Sequence, residues 1–302
     1  MAPFSFLYRF EEYLAAEKRF SKHTVTAYLK DVEQFLDFAE IRNGKEVGEA
    51  SHQLIRSWIV SLSEQKISSI SINRKLSTLR TFFKWCQKNG ITDHNPLVKI
   101  VAPKQHKKAP AFAKENEMVR EKMEHMFSDN FDGLRTQLII ELFYQTGMRL
   151  SELIELRREH IYGDSLKVLG KRNKERLIPV SEPLRRMIRE YEVQRAEFDE
   201  KNLPYLFILN NGNKLYPKFV YRKINEYLGT VTSLDKKSPH ILRHTFATHM
   251  LNNGAALETL REILGHASLS ATQVYTHNSF KQLTNIYSQA HPRGHKKTSH
   301  GN

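Results

Sequence analysis

Four residues in the last third of the chain carry groups that could act together on one substrate atom. His240 and Arg243 stand three apart in SPHILRHTFATHML, His266 follows in LGH, and Tyr275 comes nine residues after it. A phenol becomes a nucleophile once its proton is removed. Imidazoles can move that proton, and a guanidinium stabilises negative charge as it develops. The set contains no carboxylate pair, so it suits an anionic reacting centre, and a phosphodiester attacked by Tyr275 fits it. Two more cations belong with it. Arg149 lies in TGMRLSEL just after a glycine break, and Lys171 lies in the turn GKRNKER.

Each residue taken alone has an ordinary reading. A helical arginine is usually a surface charge, Lys171 and Lys174 could be polar turn residues, and Tyr275 is one of 12 tyrosines. His240 and His244 are four apart and could ligate a metal, but Arg243 between them repels a cation and no HExxH motif is present. The joint occurrence is what carries the chemistry.

The 302 residues include 47 Lys and Arg against 33 Asp and Glu, a formal charge of +14. That surplus points to a polyanion, with nucleic acid first and an anionic membrane surface second. No apolar run approaches the roughly 20 residues that span a bilayer. The opening MAPFSFLYRFEEYLAAEKRF turns charged too early for a signal peptide, which makes the cytoplasm the expected location. Cys86 is the only cysteine, so no intramolecular disulfide or multi-cysteine metal site can form. No GxxxxGK or GxGxxG loop is present to hold a nucleotide. No cofactor and no metal are expected.

The elements that must position these groups fall into two blocks. Residues 1–102 read as helices only. One opens at Ser21 with apolar residues near a 3.6 period from Val25 to Phe38, another covers Ser51–Gln65, and a third runs from about Ser69 to Asn89-Gly90. The polar side of the third presents Asn73, Arg74, Lys75, Arg80 and Lys84, which as a charge run reads as a solvated face. Residues 103–114, PKQHKKAPAFAK, read as an exposed linker. From residue 115 helical periodicity returns through TQLIIELFYQTGMRLSELIELR. LKVLGKRNKERLIPV then reads as two short strands, and LPYLFILNNGNKLY as a further strand–turn segment. Helices follow from about Lys218, from Ser238-Pro239 to Gly254, over LETLREIL to Gly265, and over about Phe280–Ala290. The fold class is therefore mainly α with a small β-sheet, an α+β second domain (115–302) behind a helical first one (1–102).

The chain resembles the tyrosine recombinases, and more closely the bacterial Xer-type recombinases. The resemblance rests on SKHTVTAYLKDVEQFLDF, INRKLSTLRTFFKW, NPLVKIVAPK, TGMRLSELIEL, GKRNKERLIPV, SPHILRHTFATHML, LREILGHASLSATQVYTH and the closing HPR. It departs at Arg172, where relatives often carry glycine, which bears on the turn's geometry and not on the class. The resemblance implies a helical, SAM-like core-binding domain and a catalytic domain. It implies that Tyr275 attacks the scissile phosphate, forms a 3′-phosphotyrosyl link and releases a 5′-hydroxyl. Arg149 and Arg243 would grip the nonbridging oxygens, and Lys171 would protonate the leaving 5′-oxygen. His240 would transfer a proton with the tyrosine, His266 would hydrogen-bond the phosphate, and Glu152 would hold the geometry. The implied partner is double-stranded DNA, bound by a tetramer on two sites, homomeric or with a sister recombinase, with a DNA translocase as candidate activator. The implied role is resolution of chromosome dimers at cell division, which the short N-terminal region favours. An integrase of a mobile element, a type IB topoisomerase and a non-catalytic DNA-binding protein are the alternatives. Phe280, Leu283, Ile286 and Tyr287 form one stripe near the C-terminus. The stripe alone suggests docking on its own domain, whereas the resemblance implies docking on a neighbouring subunit.

Overall fold

Serine hydroxyls start three helices of the first unit. The computed structural model describes residues 5–104, 111–119, 126–170, 175–265 and 277–294, and the chain divides into Met1–Lys108 and Ala109–Asn302. In the first unit α1 (Ser5–Glu12) runs into a π turn (Tyr13–Glu17), followed by α2 (Lys22–Phe38), α3 (Gly44–Gly48), α4 (His52–Glu64) and α5 (Ser69–Lys88). Ser21 accepts from the Thr24 amide at 3.3 Å, Ser51 from Leu54 at 3.2 Å and Ser68 from Ser71 at 3.3 Å. Each satisfies an amide that the first helical turn leaves without a partner.

The apolar stripes of these helices meet in an aromatic core. Phe10 sits edge-on to Phe82 at 5.1 Å, and Phe35 edge-on to Trp58 at 5.3 Å. Cys86 is fully buried among them, and burial pushes its thiol up to about 12. The polar side of α5 is not wholly solvated, as its charge run suggested. Lys75 is buried and donates to Asp31 at 2.9 Å, and Arg74 and Thr78 donate to the same carboxylate at 2.8 and 3.0 Å. Three donors compensate the buried charge of Asp31 and tie α2 to α5.

In the second unit α6 (Phe131–Thr146) is the core helix, with every residue from 138 to 146 buried. A helix apolar on all sides must be surrounded, and α8 (Glu182–Arg195) and α10 (Pro239–Asn252) pack against it. Between α7 (Leu150–Ile154) and α8 lies an antiparallel sheet in the order β1 (Ile161–Tyr162), β2 (Ser165–Leu169), β3 (Glu175–Pro179). Leu166 pairs with Ile178 and Val168 with Arg176. Beyond α9 (Pro217–Val231) and α10, α11 (Leu257–Leu264) and α12 (His277–Ala290) complete the described chain. This is the mainly helical fold with a small sheet that the sequence implied.

The structure differs from the sequence reading at three places. Helix α8 lies in a stretch left unassigned there. The 203–216 segment forms no strand, only the isolated bridges Arg157↔Tyr205 and Ile208↔Lys214. Three of its carbonyls are taken by a buried side chain instead: Arg195 donates to Leu203, Tyr205 and Leu206, each at 2.9 Å. Of the stretch read as a linker, 105–110 lies outside the described residues, but Ala113 is buried. Its amide donates to Thr245 and its carbonyl accepts from His249, both at 2.9 Å. In the single chain α12 packs on its own unit, as its stripe alone suggested, with Leu283, Tyr287 and Ala290 buried.

Candidate active site

Helix α6 ends at Gly147 in the left-handed conformation (φ +58°). A Cβ there would lie 2.5 Å from Phe246 and 2.7 Å from Leu264, so glycine is required both by the backbone and by the packing. The break places Arg149 at the N-cap of α7. Its own amide donates to Glu152 Oε2 at 2.7 Å, and its Nη1 donates to Oε1 at 2.7 Å. Arg176 reaches the same carboxylate from β3, Nη1 to Oε1 at 2.9 Å and Nη2 to Oε2 at 2.8 Å. These bonds fill the roughly four lone-pair sites of a carboxylate. Glu152 therefore has no capacity left to take a substrate proton, and its part is to hold arginines. Burial alone would raise its carboxyl, but the hydrogen bonds and charge of Arg176, then those of Arg149, outweigh it and hold it at about 2.

The same arginines cap the end of α11. Arg176 Nε donates to the Ile263 carbonyl at 2.7 Å, Arg243 Nη2 to Leu264 at 2.8 Å and Arg149 Nη2 to Gly265 at 3.2 Å. Three successive carbonyls at a helix C-terminus, where the helix dipole is negative, thus each take a different guanidinium. Arg243 also donates to the Gly147 carbonyl. Burial, then the nearby charge of Arg149, lowers Arg243 to about 10, so it stays charged at neutral pH. Three guanidiniums around one carboxylate leave a positive surplus. Arg149 and Arg243 each keep their Nε–H and a second hydrogen on each Nη without a partner among the described residues. That is the donor set a tetrahedral oxyanion needs. His240 is exposed on the first turn of α10, one turn before Arg243.

Arg149, Glu152 and Arg243 are therefore brought together, and His240 shares a helix with Arg243. Lys171, His266 and Tyr275 lie outside the described residues. The chain enters the stretch holding His266 and Tyr275 directly from Gly265, the residue Arg149 grips. Residues 114–282 match the Phage integrase family, and residues 7–90 match the phage integrase N-terminal SAM-like domain. The tyrosine recombinase XerC of Anoxybacillus flavithermus is 37% identical over 294 residues, covering 94% of this chain and 96% of its own. XerC of Staphylococcus carnosus is 38% identical over 295 residues, covering 97% and 98%. The chain belongs to the phage integrase family. It is a Xer-type tyrosine recombinase, and its enzyme class is site-specific recombinase. The fold agrees with that of the XerH site-specific recombinase bound to a palindromic difH substrate in a post-cleavage complex, with a TM-score of 0.68 at 19% identity, covering 94% of this chain and 83% of that one.

Sequence reasoning about the recombinase passed over Arg176. A signal for it was present. Arg176 and Ile178 alternate along β3 and Val180 continues the spacing just past it, so the arginine stands where an inward apolar residue belongs. A charge at such a position needs a buried counter-charge, and Glu152 is that partner.

Proposed function

We propose that this recombinase cuts and rejoins double-stranded DNA through a 3′-phosphotyrosyl intermediate. Tyr275 is the nucleophile, Arg149 and Arg243 neutralise the scissile phosphate, and Lys171 protonates the leaving 5′-oxygen. His240 exchanges a proton with the tyrosine, whose unperturbed pKa near 10 makes unaided attack slow. His266 hydrogen-bonds the phosphate, and Glu152 keeps the arginines in place. The observation that carries this reading is the pairing of Arg149 and Arg243 on the end of α11, with donors left over that have no partner among the described residues and Glu152 fully engaged. Because the link to Tyr275 conserves the phosphodiester bond energy, the scheme needs neither ATP nor a metal. The test is a nicked duplex whose cut strand diffuses away. The wild-type chain should form a band resistant to denaturation, whereas Tyr275→Phe should bind the duplex and form none. A band from the Phe variant would mean that another tyrosine carries the chemistry.

In this reading residues 1–102 are the core-binding domain, 115–302 the catalytic domain, and the intervening stretch a linker that ends where Ala113 docks. The biological role that fits is resolution of chromosome dimers at cell division, in the cytoplasm, by a tetramer on two sites that is homomeric or shared with a sister recombinase, with a DNA translocase as activator. Relatives named XerC that match along nearly their whole length support it over a mobile-element integrase. Genome-wide mapping of binding should then give one peak near the replication terminus, and scattered or element-borne sites would favour the integrase.

A further inference from the structure

We propose that Arg176 is a positioning residue for DNA cleavage, acting through Arg149 on the charge of the scissile phosphate while never touching the phosphate itself. The inference rests on the active-site reading given above. Arg176 side-chain exposure is 5% against 33% for Arg149, so only Arg149 is open to an anion. Arg176 makes two bonds to Glu152 and one to the Ile263 carbonyl, and its side chain lies against Gly265, where a Cβ would come within 3.2 Å of it. It thus joins three things in one side chain: strand β3, the carboxylate that orients Arg149, and the end of α11 from which the chain runs on towards Tyr275.

The geometry dictates what its loss does. Glu152 holds both Arg149 and Arg176. Without Arg176 the buried carboxylate has lost half of its donors and has only Arg149 left to compensate it. Arg149 is then drawn onto Glu152 and away from the reacting phosphate, and the register between Arg149 and the end of α11 loosens. Misplacement of a charge-stabilising group by about 1 Å costs on the order of 100-fold in rate. A lysine cannot replace the guanidinium, because one ammonium cannot present the planar fork that meets both carboxylate oxygens.

The test compares two substrates with one protein. The probe is a nicked duplex carrying a site selected from a random duplex pool by the wild-type chain, made with an ordinary scissile phosphate or with a neutral methylphosphonate there. Arg176→Lys, with Arg176→Gln as the second variant, should form covalent product about 100-fold more slowly than wild type on the phosphate. DNA affinity should stay within roughly threefold, since the buried side chain touches no DNA. On the methylphosphonate, which carries no charge to neutralise, the defect should shrink to less than roughly tenfold. The ratio of the two rates does not depend on how much of the variant is folded, so partial misfolding leaves it readable. An equal defect on both substrates would make Arg176 a structural residue only and overturn the proposal, as would wild-type rates on the phosphate. Wild-type protein that forms no covalent product on the phosphate would instead refute the active-site reading itself, and the proposal would fall with it.

Discussion

The carbonyl of Gly147 accepts a hydrogen bond from the guanidinium of Arg243, and the same glycine lies bare against Phe246 on Arg243's own helix. One residue therefore sets both the end of α6 and the seat of Arg243, the arginine proposed to grip the phosphate. Gly147→Ala should cost roughly 2–5 kcal/mol, from a side chain forced to positive φ and from overpacking against Phe246 and Leu264. Urea denaturation of the full chain measures it. A loss below about 1 kcal/mol would mean that α10 and α11 yield more easily than their packing suggests.

The proposed phosphate grip and the proposed proton donor separate chemically. Lys171→Ala should recover cleavage on a duplex with a 5′-bridging sulfur, whose leaving group needs no proton. Arg243→Ala should not recover, since it removes charge stabilisation. Equal recovery of both variants would overturn the assignment and make Lys174 the first alternative.

His291 is buried between α6 and α12 in its neutral form. It donates from Nε2 to the Tyr144 carbonyl at 3.1 Å, and its Nδ1 accepts the Arg293 amide at 3.0 Å. Burial, opposed by that carbonyl and aided by the charges of Arg293 and His249, lowers its pKa to about 3. Tyr287 stacks on it, and Glu141, which pairs with Arg293 at 2.9 Å, lies nearby. The unfolded chain binds a proton near pH 6.5 that the folded chain refuses until about 3. Stability should therefore fall as pH drops through that window, by up to about 1.4 kcal/mol per pH unit. Glu152 adds to the loss only below its unfolded value of about 4.3. His291→Asn should flatten the slope between pH 6 and pH 5, as read by thermal midpoints. An unchanged slope would place the titration elsewhere, with His249, also lowered by burial, next in line.

Leu283 of α12 is buried on its own unit. Leu283→Ala should destabilise the dilute chain by roughly 2–4 kcal/mol, by the same amount over a hundredfold range of protein concentration. A loss that grows with concentration would instead show the helix docked on a neighbour.

The sequence was legible where one physical signal dominated. Serine caps and 3.6-residue periodicity marked α2, α4 and α5, and the Gly breaks at 147 and 265 placed Arg149 and bounded α11. The LKVL and ERLIP runs marked β2 and β3. What escaped depended on partners far along the chain. Arg195 takes the carbonyls of Leu203, Tyr205 and Leu206, and no local pattern announces that. Lys75 and Arg176 are charges whose burial follows only from Asp31 and Glu152, dozens of residues away in the sequence but adjacent in space. The stripe of α12 pointed to its own unit and the family resemblance to a neighbour, because an apolar stripe says that a face is covered and not by which chain.

The lone thiol of Cys86 has a practical use. Buried, with its pKa pushed up to about 12, it is almost wholly protonated near neutral pH, and protonated thiols do not react with maleimides. The natural chain is thus its own blank for labelling. One cysteine introduced at an exposed position such as Val193 on α8 would carry a dye alone, so that a single fluorophore per protomer could count subunits and follow them on DNA without first stripping the background.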